Sequence, residues 1–121
     1  MKYLQTLFLC IFLFFFAACT KNKLGGKCSI KGSVMHHSRT IANARVFIKL
    51  KATEFPGADT TIYDSNMLSD SLGAYSFKCY PGNYYLYSIG YDTQLLKKVS
   101  GGTPVTVRAN EVVLADIAVT E

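Results

Sequence analysis

Everything after residue 27 reads as an all-β domain, a sandwich of two packed sheets or a barrel, and three observations predict it. Apolar and polar residues alternate with a period of two in several short runs, as half-buried strands require. Aspartate, asparagine, glycine and proline punctuate these runs at turn-like intervals. Helical spacing is not sustained anywhere after Cys19. About 90 residues suffice for one small domain with a single core.

The first run sets Cys28, Ile30, Gly32 and Val34 against Ser29, Lys31 and Ser33. The second sets Ala44, Val46, Ile48 and Leu50 against Arg45, Phe47, Lys49 and Lys51, giving one apolar face and one mostly charged face. Tyr75, Phe77 and Cys79 alternate with Ser76 and Lys78, and Val105 and Val107 with Thr106 and Arg108. Val113, Ala115, Ile117 and Val119 read as one last strand. Asp70-Ser71-Leu72-Gly73 combines an aspartate that bonds its own backbone with a glycine that accepts positive φ. Pro81-Gly82-Asn83 and Gly101-Gly102 read as further turns, and Ala109-Asn110-Glu111 as a short hairpin. Glu54-Phe55-Pro56-Gly57 belongs to a longer polar surface loop.

Four of these pieces resemble a known family when taken in order. They are Ile30-Lys31-Gly32-Ser33-Val34, Ile41-Ala42-Asn43-Ala44-Arg45-Val46, Ser69-Asp70-Ser71-Leu72-Gly73-Ala74-Tyr75-Ser76-Phe77 and Pro81-Gly82-Asn83-Tyr84-Tyr85-Leu86. This series resembles the carboxypeptidase regulatory-like domain. The resemblance implies a transthyretin-like (prealbumin-like) Greek-key β-sandwich of seven to eight strands. In such a sandwich Gly32 leaves room for a close backbone approach. Tyr75, Phe77, Tyr84 and Leu86 fill the space between the sheets. Cys28 and Cys79 fall on inward faces near strand ends, where they are expected to approach each other across the sandwich.

The N-terminus carries an address. Met1-Lys2-Tyr3 precedes an apolar run from Leu7 to Ala18, shorter than the roughly 20 residues that a membrane-spanning helix needs and suited to a secretory signal. Phe16-Ala17-Ala18-Cys19 resembles the lipobox of bacterial lipoproteins, whose cysteine is lipidated on sulfur, palmitate being a typical acyl chain. Residues 1–18 are therefore expected to be a signal peptide, 19–27 a lipidated tether anchored through Cys19, and 28–121 the sandwich. Each buried methylene of the lipid contributes about 0.8 kcal/mol to the membrane hold. Position 20 is threonine and not aspartate, and the residues after Cys19 are not acidic. By the sorting rules known for bacterial lipoproteins, including those of Bacteroidetes, this resembles an outer-membrane protein facing the periplasm. The net charge of +5 would suggest nucleic acid in a cytosolic protein, but export argues against that partner. Lys21, Lys23 and Lys27 form a solvated tether or meet anionic headgroups.

Cys28 and Cys79 remain after export, an even pair in an oxidising compartment. A disulfide and two separate buried thiols both fit. Two distant cysteines lack the close-spaced ligand pair of a metal site. His36-His37 reads as part of a solvated loop, because adjacent residues on an extended chain point to opposite sides. Asp59, Asp64, Asp70 and Asp92 lack calcium-loop spacing. No serine–histidine–acid set can be assembled. The transthyretin-like fold also hosts a hydrolase of 5-hydroxyisourate, but that family ends in Tyr-Arg-Gly-Ser, and this chain ends Ile117-Ala118-Val119-Thr120-Glu121. No catalytic residue, cofactor or metal is therefore expected. With Tyr84 and Leu86 inward, Tyr85, Tyr87 and Tyr91 face outward. They form a candidate binding surface for sugar or a protein partner, unless a neighbouring loop covers them. Arg45, Lys49 and Lys51 read as a solvated stripe. The expected function is a lipid-anchored envelope accessory that binds another envelope protein or glycan. The alternative is a subunit of a surface fibre, since Bacteroidetes fimbrial subunits resemble it in anchor and fold.

Overall fold

The computed structural model describes residues 23–121. The expected signal peptide and the expected lipidation site, Cys19, lie outside the described residues. Nine strands follow one another: β1 (Leu24–His36), β2 (Arg39–Thr40), β3 (Arg45–Leu50), β4 (Ser65–Leu68), β5 (Ala74–Cys79), β6 (Gly82–Asp92), β7 (Lys97–Val107), β8 (Val112–Leu114) and β9 (Ile117–Ala118). A 3-10 turn at Thr60–Ile62 is the one helical element among the described residues. No helix among them is long and apolar enough to cross a membrane.

The strands form two sheets. In the first, β1 takes β5 antiparallel on one side and β8 and β9 parallel on the other, while β2 folds back on its end. The second runs β4-β3-β6-β7, antiparallel throughout. Their facing sides share one core. Ile30, Val34, Tyr75 and Phe77 of the first sheet meet Val46, Ile48, Tyr84, Leu86 and Val105 of the second. Each such side chain contributes about 1.5–3 kcal/mol by leaving water. The protein is thus an all-β sandwich, with the inward residues that the alternation singles out.

Glycines decide how closely the strands approach. A Cβ on Gly32 would lie 1.9 Å from the carbonyl oxygen of Ala115. That contact breaks the expected last strand into β8 and β9. The Ala115 amide donates to Lys31 at 2.7 Å, its carbonyl accepts from the Tyr75 hydroxyl, and Asp116 Oδ1 accepts from the Ser33 amide at 2.9 Å. Gly101 and Gly102 are not a turn but lie inside β7, paired with Ser88 and Tyr87. A Cβ on Gly101 would sit 2.2 Å from the Ala118 carbonyl oxygen, so the C-terminal segment can pass over it. Thr120 bridges to Ser100, and the Val119 amide donates to Met35. The C-terminal segment therefore joins the two sheets along this side.

Besides Gly101-Gly102, one more expected turn departs from its reading, while the Asp70 turn follows its side-chain chemistry. Asp70 Oδ1 accepts from the amides of Leu72 and Ala74 at 2.8 and 2.9 Å, and Gly73 takes φ of 78°. Residues 109–111 do not close a hairpin. They carry the chain from β7 in one sheet to β8 in the other, with Asn110 at φ 58°. At the entry, Gly25 and Gly26 adopt φ of 84° and 90° and bulge β1, so that Leu24 and Cys28 both lie opposite Cys79. The strand thus reaches into the stretch expected as tether.

Candidate functional site

The three tyrosines of the expected stripe part company. Tyr85 and Tyr87 do lie on the outer face of the second sheet, yet they are only 8% and 6% exposed. The segment 51–64 folds over them. Phe55 packs on both, with ring centroids 5.8 Å from Tyr85 and 5.2 Å from Tyr87, and Tyr63 stacks on Tyr87 at 5.7 Å and 19°. Phe47, read from alternation as part of a charged face, completes this second apolar cluster. Tyr91 stands away from it, half-exposed, beside a cleft lined by Arg39, Asn43, Asp92 and Gln94.

Local chemistry holds the covering segment down. The Tyr63 hydroxyl donates to the Gly57 carbonyl at 2.9 Å. Asp64 Oδ2 accepts from the Leu50 amide at 2.7 Å and lies 3.5 Å from Lys49 Nζ. Asp59 accepts from the amide and hydroxyl of Thr61, which holds its carboxyl below the usual range. Burial pushes the Tyr63 phenol up to about 12, with the Tyr87 and Tyr85 phenols adding to the effect, so it is a neutral donor at any physiological pH.

Covering is incomplete. Phe55 remains 52% exposed. Between it and β7 runs a groove of about 470 Å³, lined by Phe55, Ala58, Tyr85, Tyr87, Ser100, Gly101 and Gly102. Gly102 makes the groove possible, because a Cβ there would fall 2.6 Å from the Tyr85 ring. A glycine floor beside aromatic walls offers stacking surface, phenolic oxygens and open backbone, within the volume range of small-ligand sites.

The two cysteines are cross-strand partners in one sheet, Cys28 on β1 directly opposite Cys79 on β5. They do not face each other across the sandwich. Cα atoms of such partners lie about 4.5–5.5 Å apart, inside the range that a disulfide spans. Here both are free, buried thiols. Cys28 Sγ donates to the Arg108 carbonyl at 3.4 Å. Burial raises the Cys79 thiol above its ordinary value, although the Tyr84 hydroxyl bonds it.

The far end of β1 corrects the reading of the histidine pair. His36 is not in a solvated loop; it is the last residue of β1 and 1% exposed. Its Nδ1 bonds Asp92 Oδ2 at 2.7 Å, the same oxygen that accepts from Arg39 Nη2 at 2.9 Å. Asp92 Oδ1 accepts from the amides of Gln94 and Leu95 at 3.0 and 3.1 Å. The His36 bond, aided by these donors, holds the buried Asp92 carboxyl down at about 2 against its burial. A buried carboxylate with four donors around it is a compensated charge, whereas an unpaired one would be prohibitively costly. Asp92 gave no sign of this in the sequence. Its partners are 53 and 56 positions away, and only the β6 register brings them together.

Among known proteins, no family model matches this chain and no curated protein matches it.

Proposed function

We propose that this chain is a lipid-anchored, non-enzymatic binding module of the bacterial cell envelope, held by Cys19 in the outer membrane and facing the periplasm. Its transthyretin-like domain would present the aromatic groove to an envelope glycan. The groove itself carries this reading: a half-exposed Phe55 faces the glycine floor of β7, with Tyr85 and Tyr87 between them. Sugar rings stack their C–H faces on such walls and take hydrogen bonds from phenols at the edges. The dyad of Asp92 and His36 turns its free nitrogen toward Glu121, 3.8 Å away, and not toward a hydroxyl or thiol nucleophile, which supports binding over hydrolysis. The C-terminal segment pairs with its own β1 and β7. The domain thus pairs its C-terminal segment within itself, which favours an accessory over a fibre subunit that exchanges strands.

The test uses the full chain in detergent micelles and purified envelope polysaccharide and peptidoglycan. Phe55→Ser removes one wall without touching the sandwich core and should abolish retention on the glycan, while Tyr91→Ser should leave it unchanged. Equal retention of wild type and Phe55→Ser would refute the groove as the binding surface. Loss of palmitate incorporation in Cys19→Ala checks the anchor separately.

A further inference from the structure

His36 and His37 would diverge on a regular strand. His37, however, takes φ of 57°, a left-handed conformation that turns the chain into the β1–β2 hairpin. Both rings consequently lie on one side, with centroids 4.3 Å apart. The C-terminal segment, fixed between β1 and β7, delivers Glu121 to the same place. One ligand atom from each of His36, His37 and Glu121 lies within 4.8 Å of the others.

The chemistry around the three is that of a metal site. Asp92 Oδ2 lies 2.7 Å from His36 Nδ1 and accepts its hydrogen bond. Nε2, the other ring nitrogen of His36, is the atom aimed at Glu121, 3.8 Å from its Oε1. Metal-bound histidines are almost always oriented in this way, by a carboxylate on the other nitrogen. Arg39 offsets the charge of Asp92. Lys97 Nζ holds Glu121 Oε2 at 3.0 Å, leaving Oε1 toward the imidazoles. Two imidazoles and one carboxylate suit a borderline ion such as zinc. Calcium and magnesium ask for oxygen ligands throughout. His37 and Glu121 are both exposed. Their side chains can rotate to close the cluster to the roughly 3.4 Å between ligand atoms in tetrahedral zinc.

We infer that His36 Nε2, His37 and Glu121 form a zinc-type site at the end of the sandwich remote from the tether. Asp92 is its outer carboxylate, and its fourth position is open to water or to a donor from a bound partner.

The full chain in detergent micelles is titrated with Zn²⁺ against a chromophoric chelator at neutral pH. One ion per chain is expected. His37→Ala and Glu121→Gln, both at exposed positions, should each weaken binding about tenfold or more. Lys97→Ala removes a competitor for Glu121 and should tighten it. Co²⁺ in place of zinc should give visible d–d bands with no thiolate charge-transfer band. Absence of stoichiometric binding overturns the site. So does affinity unchanged in both His37→Ala and Glu121→Gln, or a thiolate band that assigns the ion to Cys28 and Cys79.

Discussion

At the end where the chain enters the sandwich, Tyr84, Cys28 and Cys79 bury neutral hydroxyl and thiol groups; at the end where β1 finishes, His36 and Asp92 bury a pair that carries charge. Cys28 and His36 lie eight positions apart on β1, roughly 26 Å of extended chain. At the entry end, the Tyr84 hydroxyl sits between the Lys23 backbone and the Tyr80 carbonyl. Burial there raises acids: the Tyr84 phenol is pushed up to about 12, with Cys79 adding to the effect, and the Cys79 thiol is raised too. At the far end Asp92 moves the other way, since its hydrogen bonds outweigh desolvation. Loss of water alone favours the neutral form; loss of water with donors supplied favours the charged one. The entry end is therefore built as core, and the far end as a site.

The largest test of that contrast is Tyr84→Ala. The ring is fully buried among both sheets, and its removal leaves a cavity at the entry end. Truncations of this kind cost about 3–5 kcal/mol, read as a fall in the denaturation midpoint with unchanged slope. A loss below about 1 kcal/mol would mean that the entry end is not continuous with the core.

Acid and alkali should open the two ends separately. Asp92 has its ordinary value of 3.8 lowered to about 2 in the folded chain. Its stabilising effect is complete above the ordinary value and is lost as pH falls from about 4 toward 2. Tyr84 is raised from 10.0 to about 12. Its effect is complete below 10.0 and is lost as pH rises through about 12. Asp92→Asn should therefore flatten the acid limb of melting temperature against pH and leave the alkaline limb alone. Tyr84→Phe should reduce the alkaline limb only in part, since the Tyr63 phenol is raised to about 12 as well. If Asp92→Asn leaves the acid limb intact, the far end is not held by charge.

The core end was legible in the sequence and the site end was not, for a physical reason. Alternation reports which face of a strand is buried, and it identified Ile30, Val46 and Ile48 as inward, while Tyr84 and Leu86 were placed there by the family resemblance. Asp70 and Gly73 announced their turn because the bonding is local, within four residues. The far end depends on register and on backbone exceptions instead. His36, Arg39, Asp92 and Glu121 converge from three separate strands and the C-terminus, and the positive φ of His37 reverses the rule that neighbouring residues diverge. Gly101-Gly102 misled for the same reason: glycine pairs mark turns by local chemistry, but here they answer the crowding of Ala118 on one face and Tyr85 on the other. The tyrosine stripe was half legible. Its outward direction followed from alternation, while its cover came from Phe55 and Tyr63 in a loop whose path no period encodes.

Tyr91 gives the smallest effect and the closest control on the comparison. It lies on β6 with Tyr84, seven positions further along, at the other end of the same strand. It is 50% exposed, where Tyr84 is buried completely. Its ring borders the cleft beside Arg39 and Asp92 and takes no part in either apolar cluster. Tyr91→Ala should therefore change stability by no more than about 0.5 kcal/mol, as surface positions do. The same truncation on one strand then separates core from site by a factor of several in free energy. A cost for Tyr91→Ala approaching that of Tyr84→Ala would mean that the far end is packed like the entry end.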